Sequence, residues 1–228
     1  DLDKGAFERK IELPGCATML TNTVNGFSAL CSNGTMATVA MGGTTPSITR
    51  SAPFFNATED PIFDTSILDA KTGTATLLSY SGLVTPVTLG AVPKIGASWS
   101  LQQAAFMRKG SYTPMDVNWM PGGRQPIALH QASGKIYVLM HMGEYWSEYE
   151  PAQEIWVLDA GSHKLIRRHA LTGELKDKLV NIAISQDGAP QVYASDGSGN
   201  TFVLDAQTME KKQKMENSGG GILYTVQN

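Results

Sequence analysis

The most regular apolar–polar alternation in the chain lies between Gly122 and Leu171. Ile127-Ala128-Leu129-His130 is a short apolar run, Gln131-Ala132-Ser133-Gly134 closes it, and a second run extends from Lys135 to His141. A third run spans Glu154 to Leu158. Asp159-Ala160-Gly161-Ser162 follows, and a fourth run goes from Lys164 to Ala170. Branched and aromatic residues fill the runs, while Gly, Ser and Asp fill the gaps. That partition predicts four strands joined by tight turns, because branched side chains suit a pleated surface and Gly and Asp accept turn dihedrals. Residues 143–153, GEYWSEYEPAQ, interrupt the pattern between the second and third strands.

The unit recurs. Ile182-Ala183-Ile184 repeats Ile127-Ala128-Leu129 at an offset of 55, and Val192-Tyr193 repeats Ile136-Tyr137 at 56. Phe202-Val203-Leu204-Asp205-Ala206 repeats Trp156-Val157-Leu158-Asp159-Ala160 at 46. The drop matches the length of the interruption, which therefore reads as an insertion. Four-stranded units recurring at roughly 40–50 residues predict a β-propeller with one unit per blade. A β-sandwich of unrelated hairpins is the alternative.

The rest of the chain fits less evenly. Ala6 to Leu13 reads as the last strand of a blade, so the chain is expected to begin mid-blade as a processed or incomplete piece. Ala17–Leu20, Gly26–Cys31 and Thr35–Met41 read as strands, the last two joined by the hairpin turn Ser32-Asn33-Gly34. Thr44 to Asp60 reads as polar loop, and Ile62 to Gly90 as a further blade. In that blade Leu68-Asp69-Ala70 falls in the first turn, not the third, a chance echo of the later Leu-Asp-Ala sets. Ala91 to Met120 is the least regular part. It carries Trp99, Gln102, Gln103, Phe106, Met107, Tyr112, Met115, Trp119 and Met120, and in a β protein it is either a functional loop or cover for a blade edge. Gly219 to Val226 reads as one more strand, belonging to a blade shared between the chain ends. The expectation is an all-β chain, one β-propeller domain over residues 1–228, with about four blades of four strands plus end fragments.

Composition changes this picture little. The 228 residues are 42% hydrophobic and 17% charged, an ordinary globular balance. The net charge of −3 points to neither nucleic acid nor an anionic membrane as a partner. No apolar run reaches the length of about 18 residues that spans a bilayer. Cys16 begins one strand and Cys31 ends its hairpin partner, so the two lie side by side. A cross-strand disulfide is geometrically possible there and would imply an oxidising compartment; two buried thiols are the alternative.

Candidate chemistry is sparse. His130, His141, His163 and His169 lack metal-ligand spacing, and no nucleophile elbow or Ser/His/Asp set is evident. Gly197-Ser198-Gly199-Asn200 is a hairpin turn and not a phosphate loop, since no helix follows. Asp64, Asp116 and Asn181 are weak candidates for a metal in a propeller channel. In the insertion, Glu144, Glu148 and Glu150 alternate with Tyr145, Trp146 and Tyr149. That is either a solvated acidic loop or a docking surface with aromatic anchors. The residues alone give a propeller with no visible catalytic set.

Longer stretches carry a resemblance. Pro121-Gly122-Gly123-Arg124-Gln125-Pro126-Ile127-Ala128-Leu129-His130, then Gly134 to Met140, Trp156 to Ala160 and Asn181 to Asp187, are collinear with the heavy subunit of the tryptophan tryptophylquinone amine dehydrogenases. The separation of Cys16 and Cys31 also fits that family. The chain resembles the C-terminal three-fifths or so of such a subunit. Its text looks closer to aromatic amine dehydrogenase than to methylamine dehydrogenase, and Arg124 stands where methylamine-type chains resemble a Trp. The resemblance implies a seven-bladed propeller in a periplasmic α2β2 heterotetramer. It implies that a small subunit carries tryptophan tryptophylquinone, built from its own tryptophans. It implies that a small-subunit aspartate abstracts the proton from a primary amine, and that electrons pass to a blue-copper protein such as azurin or amicyanin. No catalytic residue of the family maps onto this chain, and the heavy-subunit Phe at the active-site entrance would lie outside it. The chain would be scaffold. Trp119, Met120, Pro121, Gly122, Gly123 and Arg124 are the expected small-subunit interface, the glycines allowing close backbone approach. An ordinary turn between blades and, for the whole chain, a stand-alone periplasmic binding propeller are the competing readings.

Overall fold

The computed structural model describes residues 5–22, 25–42, 45–69, 72–219 and 221–223. Its strands form four separate antiparallel sheets, each running in sequence order. The first blade is β1 (Cys16–Asn22), β2 (Gly26–Cys31), β3 (Met36–Ala40) and β4 (Ser47–Arg50). The second is β5 (Ile67–Asp69), β6 (Thr74–Leu78), β7 (Leu83–Thr88) and β8 (Lys94–Ile95), with β9 (Trp99–Ser100) also pairing with β7. After the short helix α1 (Leu101–Ala104) the third blade holds β10 (Asn118–Pro121), β11 (Ile127–His130), β12 (Lys135–Gly143), β13 (Glu154–Asp159) and β14 (Lys164–Ala170). The fourth is β15 (Leu179–Ile184), β16 (Gln191–Asp196), β17 (Thr201–Asp205) and β18 (Lys211–Met215). These are propeller blades, as the repeat implied.

Between consecutive blades lies a core, and the strand alternation explains how. Side chains on a strand point alternately to its two faces. In the third blade Ile136, Val138, Met140, Trp156 and Leu158 face Phe63, Leu78 and Val84 of the second. Their neighbours Tyr137, Leu139, Ile155 and Val157 face Ile182, Val192 and Phe202 of the fourth. Leu20, Leu30 and Met36 meet Ala75, Leu77 and Val87 between the first two blades. A middle blade is thus buried on both faces, which makes β12 and β13 read as continuous apolar runs. Trp156 and Phe202, the aromatic pair of the repeat, are both fully buried on the third strands of their blades. Burial of each such side chain contributes roughly 1.5–3 kcal/mol.

The repeated Leu-Asp pair has a local reason. Asp159 Oδ1 accepts the Ser162 N–H at 2.6 Å, and Asp205 Oδ1 accepts that of Thr208 at 3.0 Å. Asp69 Oδ1 accepts the Thr72 N–H at 3.3 Å. Leu68-Asp69 therefore uses the same strand-ending turn chemistry after a first strand that the other pairs use after a third.

Three expectations change. Residues 47–50, expected as loop, form β4. Its Ser-Ile-Thr-Arg text lies mostly exposed at a blade's outer edge, where no apolar alternation is required. Ala6 to Leu13 is not a strand, since no described strand offers it a ladder. Of Gly219 to Val226, residues 219 and 221–223 lie in no strand, and the others fall outside the described residues.

Candidate functional site

The stretch from Trp119 to Arg124 occupies a break in the first strand of the third blade. β10 pairs with β12 from Asn118↔Gly143 to Pro121↔Met140, and β11 resumes at Ile127↔Val138. Five residues, Gly122 to Pro126, therefore stand opposite Leu139 alone. Leu139 binds both ends of the excursion, its carbonyl accepting from Gly122 N–H at 3.0 Å and its N–H donating to the Pro126 carbonyl at 2.8 Å. The looped segment reaches the fourth blade. Arg124 and Gln125 N–H groups both donate to the Val180 carbonyl, and Ile182 N–H donates to that of Gln125.

Both glycines are needed for approach to this chain's own backbone. A Cβ on Gly122 would stand 2.6 Å from the Glu150 carbonyl and 2.3 Å from His141 Nδ1. Gly123 has φ +97°, and its Cβ would lie 2.4 Å from the Val180 carbonyl. Met120, Pro121, Gly122 and Gly123 are buried, Trp119 is half-buried and Arg124 is exposed. Trp119 belongs to a sandwich: the Arg168 guanidinium sits 4.6 Å from its ring and 5.0 Å from that of Trp156. Arg168 also makes two bonds to Glu154, at 2.6 and 2.8 Å, and Glu154 accepts the Trp156 ring N–H at 2.6 Å.

The insertion after β12 is not uniformly solvated. Tyr145 is buried and donates its hydroxyl to the Glu59 carbonyl of the preceding blade, and Glu148 is buried as well. Burial is the first cause that pushes the Tyr145 and Tyr80 hydroxyls well above the ordinary tyrosine range. For Tyr80 the neighbouring Tyr149 adds to the upward push. Trp146, Tyr149 and Tyr112 remain exposed, and the Tyr112 ring lies 6.1 Å from that of Tyr145. The irregular connection before β10 divides the same way. Trp99, Met107 and Trp119 pack against the core between blades two and three, whereas Phe106 is 97% and Met115 83% exposed. Gln102 ties the connection down, its amide donating to the carbonyls of Ser81 and Trp119, each at 2.8 Å. Each of the two segments thus carries exposed aromatic or Met residues: Phe106, Tyr112 and Met115 in the connection, and Trp146 and Tyr149 in the insertion.

Each histidine has a separate setting. His130 bridges Ser133 Oγ at 2.8 Å and the Asp187 carbonyl of the next blade at 3.1 Å. His141 bonds Ser147 Oγ at 2.8 Å through Nε2, its Nδ1 has no partner among the described residues, and burial pulls its pKa down to about 4. His163 stacks on Trp99 at 4.7 Å, and His169 is lowered first by burial and then by Arg167. Asp116 pairs with Arg108 at 2.6 Å, Asp64 accepts from Thr18 and Asn181 donates to Ser195. Among the described residues no three His, Cys, Asp or Glu groups gather to hold a metal. The first strands β1, β5, β11 and β15 do surround a cavity of about 420 Å3, whose lining includes Leu20, Ser66, Gln125, Gln186 and Ile222. Gln125 and Gln186 escape sequence reading, because no periodicity marks an amide that links two blades.

Cys16 and Cys31 are directly opposed in the β1–β2 ladder and form a disulfide. Trp119 and Trp156 lie 5.8 Å apart, and Trp156 is fully buried with its ring N–H donated to Glu154.

Four-stranded antiparallel blades, stitched to one another by backbone and amide contacts, define a β-propeller. The family model for the methylamine dehydrogenase heavy chain matches residues 1–226, and the chain belongs to that family. It is 26% identical to the methylamine dehydrogenase heavy chain of Methylorubrum extorquens over 225 residues, covering 97% of this chain and 52% of that one. Against that of Methylophilus methylotrophus the identity is 27% over 207 residues, with 90% and 48% covered. Against that of Paracoccus versutus it is 24% over 222 residues, with 97% and 49% covered. The chain spans about half the length of the curated relatives it matches.

Proposed function

We propose that this chain is the C-terminal, scaffold part of the heavy subunit of a periplasmic quinoprotein amine dehydrogenase, its four blades belonging to one larger propeller domain. The observation that carries the reading is the family match over residues 1–226. In this reading a small subunit bears tryptophan tryptophylquinone. When present, that group supplies the carbonyl and the two-electron sink for oxidising a primary amine to an aldehyde and ammonia, while the protein binds and orients. The electrons then pass to a blue-copper protein such as azurin or amicyanin. An aromatic amine is the proposed substrate, on the textual likeness noted above.

This chain contributes surface and rigidity. Arg124 and half-buried Trp119, with the exposed Phe106 and Met115 of the connection before β10 and Trp146 and Tyr149 of the insertion after β12, are the proposed small-subunit face. The buried members of the stretch, Met120 to Gly123, hold that face in place. Exposed aromatic anchors on a rigid base favour partner binding, since little side-chain entropy is lost on contact. The disulfide fits an oxidising compartment. No helix among the described residues is long and apolar enough to cross a membrane.

The test is the visible absorption spectrum of the native preparation with and without tyramine, then methylamine. A quinone band that bleaches on adding an amine is the expected result, and the more effective amine assigns the substrate class. A colourless protein that migrates as a lone chain would overturn the reading and leave a propeller binding module.

A further inference from the structure

The disulfide has an unusual neighbour. Arg50, the last residue of β4, extends past β3 to the β1–β2 ladder. Its Nη1 lies 3.1 Å from Cys31 Sγ and 3.4 Å from Cys16 Sγ. Arg50 is exposed, and no carboxylate pairs with it among the described residues, so its charge is directed at the sulfurs. The two sulfurs differ in access: Cys16 is half-buried, while Cys31 is 3% exposed.

From this geometry we propose that Cys16–Cys31 is a reducible disulfide, poised by Arg50 to open with Cys31 as the leaving group. A thiolate of an external dithiol attacks Cys16 Sγ, the accessible sulfur. The new sulfur–sulfur bond forms to Cys16, the Cys16–Cys31 bond breaks, and its electron pair leaves on Cys31 as a thiolate. Arg50 Nη1 already stands at hydrogen-bond distance from that sulfur. The second thiol of the reductant then attacks the mixed disulfide, releasing Cys16 as a thiol, and the dithiol ends as its own cyclic disulfide. Two electrons pass from reductant to protein. A cation beside a thiolate lowers its basicity, which speeds its departure and stabilises the reduced protein.

The blade can tolerate this opening. Cys16 and Cys31 are opposed in a ladder of six residue pairs, so β1 and β2 remain registered without the covalent bond. Met36 and Leu30, beside the cysteines, belong to the core shared with the second blade. The proposal does not depend on the amine dehydrogenase reading.

The test equilibrates the intact native protein with mixtures of reduced and oxidised dithiothreitol at pH 8, then counts maleimide-blocked thiols by intact mass. Arg50→Met removes the charge at similar length, and Arg50→Lys keeps it. Arg50→Met is expected to be reduced about tenfold more slowly, with a midpoint more negative by about 30 mV, the equivalent of a tenfold change for a two-electron couple. Arg50→Lys should stay within threefold of the unaltered protein. A merely structural role for Arg50 moves the rate the other way, because a loosened blade exposes the bond. Reduction of Arg50→Met at an unchanged or faster rate overturns the proposal, as does Arg50→Lys behaving like Arg50→Met.

Discussion

The side chain of Gln125 holds the backbone of Leu223 from both sides of one peptide position. Its Oε1 accepts the Leu223 N–H at 2.8 Å, and its Nε2 donates to the Leu223 carbonyl at 2.9 Å. A primary amide offers a donor and an acceptor in one plane, the pair that a neighbouring strand would present. Gln125 can do so because the excursion after Pro121 carries it off the β12 ladder and onto β15, where it forms a parallel bridge with Asn181. Asn181 Nδ2 adds a contact to the Gly221 carbonyl at 3.4 Å.

Gln125→Ala should therefore free the segment around Leu223 without unfolding the blades. Each neutral hydrogen bond contributes roughly 0.5–1.5 kcal/mol net. Hydrogen exchange at the Leu223 amide is expected to accelerate by about tenfold or more, while the β16 amides stay protected. An unchanged Leu223 amide would show that other contacts hold the segment.

Gly122→Ala and Gly123→Ala should each lower stability by about 2 kcal/mol or more, since the new methyl meets backbone that cannot yield, and Gly123 adds a positive φ. Gly188 has open space around its Cβ position and no positive φ, so Gly188→Ala is the control and should stay within about 0.5 kcal/mol. Urea unfolding midpoints of the three variants distinguish close approach from a general dislike of alanine in loops.

Arg168 is expected to behave as a fork and not merely as a charge. Arg168→Lys loses the two-point contact with Glu154 and the stacking on Trp119 and Trp156, so it should cost about 1–3 kcal/mol, nearly as much as Arg168→Ala. Both partners of the ion pair are less than a third exposed, which limits solvent screening. Tryptophan emission should shift as well. A Lys variant as stable as the parent would place the stability in the charge alone.

His141 makes stability sensitive to acid. Its folded pKa of about 4 lies below the ordinary histidine value of 6.5, because burial disfavours the cation. The unfolded chain therefore takes up the proton first. The stability that neutral His141 allows is fully present above about pH 6.5 and is lost progressively as pH falls toward 4, by up to about 3 kcal/mol. Gln can still donate to Ser147 yet does not titrate. The drop in urea midpoint between pH 7.5 and pH 4.5 should accordingly be smaller in His141→Gln, and an equal drop in both proteins would assign the acid sensitivity elsewhere.

Much of the fold was legible because its signals are local. Branched and aromatic runs, the hairpin turn Ser32-Asn33-Gly34 and the Asp turns depend on residues a few positions apart, and the recurrence of the runs and turns exposed the blades. The side-by-side placement of Cys16 and Cys31, at the two ends of one hairpin, was legible for the same reason, while the bond between them was decided by the structure. The outer strand β4 was not, because an edge strand needs no apolar alternation. Nor was the division within the insertion: Glu148 and Trp146 sit in the same acidic and aromatic text, yet one is buried and the other exposed.

By itself the sequence determined the repeating blade, its turns and the position of the insertion, since each is written in short-range pattern, and the collinear text along nearly the whole chain carried the family resemblance. Only the tertiary structure decided that Gly122 and Gly123 meet this chain's own backbone, that Tyr145 donates to Glu59 and that Arg50 covers the disulfide. Those groups come from different strands, blades or connections, 34 positions apart for Arg50 and Cys16 and 86 for Tyr145 and Glu59. Whether such groups meet depends on how the sheets twist and dock, a property of the packed sheets that no local run of residues carries.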